Sequence, residues 1–414
     1  MTGAGLLQTE AASELRRFWS AVLACFATAV FGWGFGFSGP SVYLAELQRL
    51  HGWPSASIGG AITAYFLLGA VCLTRVDIAL RWLGPGRLLS AGTVLLGLGA
   101  TLFCRSEQQW QLFGAAALMA LGWAGCTSTA ISTTLALYFV RQRGLAITLA
   151  LSGASAAGFT VGPMLVALSQ EMGVRNAVPV AAATMLAIVL PLISFGFPAR
   201  QHPKPSEARA LHDPGNMVLG VKEALGTRRF WSVALPFALA LAAQVGLLVH
   251  LVSFLLPHLG AGGSAAALAL TSVAAVSGRF ALASIIDRLH QRLATAASFA
   301  TQAIGITLMI GLPHRPEALY AGCVLFGLSV GNVITFPALI VQREFPAAAF
   351  GLVVGLSTAI SQFTFSLAPA LFGFVRDRTG SYDAVLAICV ALQLGAAALV
   401  ILRQGKPATK PALA

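Results

Sequence analysis

Long apolar runs separated by short polar clusters organise this chain from end to end. A helix needs about 20 residues to cross a hydrocarbon core of ~30 Å. A window of that length picks out twelve runs, at 18–45, 56–82, 86–104, 110–138, 145–169, 176–197, 230–257, 264–286, 294–312, 317–341, 350–374 and 384–402. Between them stand clusters such as "GPGR", "RQRG", "GAGGS" and "HRPE", where glycine and proline end helices. The pattern predicts an all-α membrane protein of twelve transmembrane helices. The stretch after the polar first 17 residues is too long for a signal-peptide core and has no small-residue cleavage site, so it is expected to be a retained first span.

The longest polar stretch, 198–229, carries four prolines and follows the sixth run. It divides the chain into an N-terminal six-helix bundle (1–197), a linker (198–229) and a C-terminal six-helix bundle (230–414). Two echoes cross that divide. "RRFWS" occurs at 16–20 and again at 228–232, each time where a half begins. "GLAITLALSGASAAGFTVGP" at 144–163 resembles "GLVVGLSTAISQFTFSLAP" at 351–369, in the fifth run of each half. Together they predict two pseudo-symmetric bundles of parallel orientation.

Charge sets the orientation. Of 26 Lys and Arg, 18 fall on the side shared with the N-terminus, the linker and the C-terminus, and six in the opposite loops. Basic residues concentrate in cytoplasmic loops, so both termini are expected in the cytoplasm, with the chain in the plasma (inner) membrane. A soluble domain carries about 25% charged residues; this chain has 10%, with 57% hydrophobic residues. Its net charge of +12 therefore reflects loop bias. No basic run with interleaved aromatics suggests nucleic acid.

The six cysteines all lie in apolar runs, without CxxC or Cys/His spacing, so neither a disulfide framework nor a zinc site is indicated. No Walker A string or HExxH occurs. No cofactor, ATP hydrolysis or nucleophilic catalysis is expected, and the chain does not read as an enzyme.

A few polar side chains break the apolar runs. Arg279 lies eight residues before Asp287, about 12 Å up a helix and towards the middle of the membrane. A central arginine costs about 2.5–3.5 kcal/mol and is kept for partners or ligands. Its planar fork matches a carboxylate. The bland alternative is a structural ion pair, yet no acid in the membrane-spanning part of the second half is available for it. His250, within "GLLVHLVSF", either binds an anion, carries a proton, or is a neutral histidine bonded to a neighbouring helix. Tyr65, Thr129 and Asn332 are uncharged polar residues that line a cavity or act as helix-to-helix glue at about 0.6 kcal/mol each. Asp77 is the one acid within the first-half runs as drawn. With Arg75 it forms either a proton site or a latch that holds one conformation.

Five stretches resemble the major facilitator superfamily, and in particular its monocarboxylate-transporter-like branch: "GPSVYLAELQRLHGWPSASIGGAITAYFLLGA", "YFVRQRGLAITLALSGASAAG", "LLVHLVSFLLPHLG", "SGRFALASIIDRLHQR" and "APALFGFVRDRTGSY". The resemblance covers nearly the whole chain. It implies the major facilitator fold and a substrate-binding role for Arg279. It also implies a gating motif at Asp287 and Arg288, followed by Arg292. There are departures. Arg81 stands where the first-half loop usually has Asp. Ala275 replaces the acid found four residues before the arginine in animal carriers, and their span-one lysine falls near Ser38. The family reading is a secondary transporter, working as a monomer in lipid, that moves a small organic monocarboxylate by alternating access, with proton coupling left open. The alternative is an exporter of drugs or other small solutes on the same fold. A cavity with an arginine and no clear acid disfavours a cationic substrate.

Overall fold

The computed structural model describes residues 16–139, 142–197, 221–285, 289–333, 335–346 and 349–402. Every regular element among them is helical. In chain order they are α1 (Trp19–Trp33), a π-helical turn (Gly34–Ser38), α2 (Gly39–His51), α3 (Ser55–Leu73), α4 (Val76–Leu83), α5 (Pro85–Arg105), α6 (Gln109–Cys126), α7 (Ser128–Ala136), α8 (Arg143–Met172), α9 (Val174–Gly196), α10 (Val221–Gly226), α11 (Arg228–Ile285), α12 (Gln291–Gly311), α13 (Pro316–Val333), α14 (Phe336–Glu344), α15 (Phe350–Thr379) and α16 (Asp383–Leu402). Ten are long and apolar enough to cross a membrane when α1 and α2 count as one and α6 and α7 as one; the bent pair α13–α14 makes eleven. A straight helix of 58 residues, the length of α11, would reach about 87 Å, far beyond one bilayer. Gly260 breaks it with φ 65° and ψ −176°, a conformation that only glycine adopts without strain. Split there, α11 supplies two spans, and the total is twelve.

The two halves repeat one another in helix length. α6 and α7 have 18 and 9 residues; α13 and α14 also have 18 and 9. α5 matches α12 at 21 residues, and α8 matches α15 at 30, each of the longer pair with one internal proline, Pro163 and Pro369. Both fourth spans break beside a threonine. Thr127 is extended (φ −72°, ψ 165°), and its Oγ1 accepts from Ala130 N at 3.4 Å. Thr335 donates to Asn332 O at 2.9 Å, and the pair α13–α14 bends by 43°.

Residues cluster into two compact units, one of 1–213 with 249–269, the other of 214–248 with 270–414. In the first, α1 packs on α8 and α5 on α6. Gly92, Gly122 and Gly125 bring α5 and α6 so close that a Cβ at Gly122 would stand 2.2 Å from Leu96 N. Small residues of this kind let helices associate in lipid, where burial of apolar surface gives no drive. The segment 249–269 joins this unit through Ser253, which donates to Gln48 at 3.2 Å, and Val252 N, which donates to Ser41 Oγ at 3.2 Å. In the second unit α12 packs on α13 and α16, around a core that includes Phe230, Phe237, Phe299 and Phe336.

Three sequence expectations change. The second span ends at Leu73, so Arg75 and Asp77 lie beyond it. Asp77 sits on the short helix α4 with its side chain 63% exposed, paired with Arg81 at 3.3 Å. The first span runs on to His51 and thereby takes in Glu46, which is 3% exposed; Glu46, not Asp77, is the buried acid within a first-half span. The ninth span starts at Gln291, a turn earlier than its apolar run, and so includes Arg292.

Candidate functional site

Arg279 sits in the second membrane-crossing part of α11, where that helix meets α13. The crossing is built on glycine. A Cβ at Gly278 would stand 1.9 Å from Leu328 O, and one at Gly327 would stand 2.4 Å from Thr271 O. Backbones this close admit no larger residue. The approach brings the Arg279 Nε to the carbonyl of Gly331, to which it donates at 3.3 Å. Among the described residues no carboxylate pairs with Arg279, and part of its side chain stays open. Asn332 is at the same crossing. It is 5% exposed, and its Nδ2 donates to Leu328 O at 3.1 Å and Gly278 O at 3.4 Å. Its Oδ1 is buried without a hydrogen-bond partner among the described residues.

The other sequence candidates lie elsewhere. Tyr65 is fully buried in the first unit and donates to Gly36 O at 2.9 Å. The π turn has opened that carbonyl, and Tyr43 donates to the adjacent Phe35 O at 3.3 Å. An extra residue in a helix turn leaves carbonyls without their usual partners, and the two tyrosines supply them. His250 is completely buried within the first unit. Thr129 is exposed just after the break at Thr127, and its carbonyl accepts from Thr133 at 2.7 Å. Asp287 and Arg288 lie outside the described residues. The structure thus brings Arg279 and Asn332 together and gives Tyr65 a structural partner.

Sequence reasoning missed the strongest polar cluster. Arg292, 2% exposed, holds Glu344 through two bonds, Nε to Oε1 at 2.6 Å and Nη2 to Oε2 at 2.7 Å. It also donates to Ser232 Oγ at 2.9 Å and to Val400 O at 2.9 Å. One guanidinium joins the ends of α11, α12, α14 and α16. A second missed cluster is a chain of buried glutamines. Gln302 donates to Gln244 at 2.9 Å, and Gln393 donates to Gln302 at 2.7 Å. An arginine beside one apolar run and glutamines inside others were the available signal, but their partners lie 52 to 108 residues away.

Two helical units, with a partly open guanidinium at a helix crossing in the second, suit a membrane protein that binds a solute. The Major Facilitator Superfamily model matches residues 24–369. The chain belongs to that superfamily, and is a multi-pass membrane transporter of a small-molecule substrate. It is 29% identical over 392 residues to monocarboxylate transporter 11 of Mus musculus, covering 90% of this chain and 84% of the relative. It is 27% identical over 341 residues to the Homo sapiens protein of that name, covering 78% and 69%. Among solved structures, the nucleoside transporter NupG superposes with a TM-score of 0.74 at 14% identity, over 93% of this chain and 98% of that one. This last likeness speaks to the fold alone.

Proposed function

We propose that this protein carries a small organic monocarboxylate across the membrane by alternating access, with Arg279 binding the carboxylate. The observation that carries the reading is the state of Arg279: a guanidinium at a crossing of two apolar helices, anchored to a backbone carbonyl and paired with no acid among the described residues. A charge there is costly without a partner, and a carboxylate ligand supplies one in the geometry that the fork prefers. The names of the curated relatives support the same substrate class. In this reading the transporter works as a monomer in the plasma membrane with both termini in the cytoplasm. Asn332 supports the site, and His250 is a further candidate.

The test is uptake by proteoliposomes of labelled lactate, pyruvate, acetate and oxalate, with a cationic dye as the competing case. The expected result is saturable uptake of one acid by the wild type and none above background by Arg279→Ala. Dye transport without acid transport would move the protein to the exporter class. Running each arm with and without an inward proton gradient reads coupling directly. Accumulation that responds to the gradient identifies a symporter, and indifference identifies a uniporter or exchanger.

A further inference from the structure

We propose that Gly331 is a positioning residue for Arg279, and that its missing side chain sets the affinity for the carboxylate. The inference rests on the carboxylate reading above. A Cβ at Gly331 would stand 3.1 Å from Arg279 Nε, 3.3 Å from Nη2 and 2.7 Å from Ala275 O. The guanidinium therefore lies edge-on against the one atom that glycine lacks, and Nε reaches the Gly331 carbonyl only because that space is empty. This anchor uses one of five N–H donors. It fixes the plane of the fork and, with Nε occupied, leaves the four N–H groups on the terminal nitrogens for a carboxylate. A methyl group at 331 displaces the fork sideways while keeping its charge. The positive charge remains at the crossing, but its paired donors no longer align with the carboxylate.

A control is built into the same crossing. Gly327 lies one turn away on the same face of α13, and its Cβ would meet Thr271 O at 2.4 Å and the Ala274 side chain at 3.0 Å. Alanine there is at least as disruptive to the approach of the helices, but its three nearest contacts include no atom of Arg279. If glycine at 331 served packing alone, the two substitutions would act alike.

The experiment compares wild type, Gly331→Ala, Gly327→Ala, Arg279→Lys and Arg279→Ala in proteoliposomes, with KM and maximal rate measured separately for the transported acid. Recovery of monodisperse protein is followed for each. Gly331→Ala is expected to raise KM about tenfold, the loss of one aligned charge-assisted hydrogen bond, with maximal rate per reconstituted molecule within about twofold. Gly327→Ala is expected to lower yield or rate and leave KM unchanged. Arg279→Lys, which keeps the charge but has no Nε to dock, is expected to show the raised KM as well. An unchanged KM in Gly331→Ala, or equal KM shifts in the two glycine variants, overturns the proposal. If Gly331→Ala is not recovered as folded protein, Arg279→Lys decides, and wild-type KM in that variant overturns it. Wild-type transport of no acid, or full activity in Arg279→Ala, defeats the carboxylate reading itself. Retained dependence on Arg279 with an indifferent Gly331 defeats only the positioning role.

Discussion

The two halves share a skeleton and differ in what fills it. In the first, the space around the π turn is aromatic. Trp33 packs on Trp123 and Phe37 with ring centroids 5.4 Å apart in each pair, and Tyr65 lies 6.4 Å from Trp123. In the second, the apolar spans hold Arg279, Asn332 and the three glutamines. The same contrast holds at the helix ends beside each copy of "RRFWS". Phe18 packs edge-on against Tyr138 and Phe139 at 5.5 and 5.8 Å, and Tyr138 meets Phe197 at 5.4 Å. At the matching end of the second half, Arg292 joins Ser232, Glu344 and Val400. Repetition has kept helix lengths and breaks while interior chemistry diverged, and the charge suited to a ligand lies in the polar half.

This contrast predicts unequal responses to equivalent substitutions. Arg292→Ala leaves Glu344 without its cation and should destabilise the second half by about 3–5 kcal/mol, read as thermal unfolding in detergent. Replacing both partners, Arg292→Met with Glu344→Leu, should recover much of that loss. Phe18→Ala, at the equivalent end of the first half, removes two edge contacts and should cost only about 1–2 kcal/mol. Equal losses in Phe18→Ala and Arg292→Ala would erase the distinction between the two ends.

Gly36→Ala drives a methyl group into the Trp123 ring at 2.4 Å and the Tyr65 hydroxyl at 2.6 Å. It should cost about 1–3 kcal/mol, and a Trp123 fluorescence change would locate the strain. Gln302→Leu strips hydrogen bonds from both Gln244 and Gln393 and should cost about 1–2 kcal/mol. It should leave ligand affinity intact; a raised KM would make the glutamine chain part of the binding site. Tyr65→Phe is the mildest, at about 0.6 kcal/mol. A complete loss of uptake in that variant would return Tyr65 to the list of ligand contacts.

The count and order of the spans were legible because lipid demands about 20 apolar residues wherever the chain crosses, and the doubled motifs marked the repeat. The breaks at Thr127 and Thr335 were not legible, because both runs remain apolar through the interruption and hydropathy carries no dihedral information. Arg279 stood out as an arginine without a nearby acid. Its anchor did not, since a backbone carbonyl has no signature in sequence and Gly331 looks like any other small helix residue. The place of Glu46 and Arg292 within spans was missed for a simpler reason: each lies a residue or two outside an apolar window, yet inside the helix that the window underestimates.

The reach of Arg292 has a consequence for synthesis. Glu344 is 52 residues away along the chain, and Val400 is 108. At about 5–20 residues per second, the arginine waits roughly 5–20 s after emerging from the ribosome before its last acceptor exists. Its counter-charge, Glu344, comes about halfway through that interval, and the backbone carbonyl of Val400 comes last. The hydrogen-bond shell of Arg292 is therefore complete only once the helix that bears Val400 has been made.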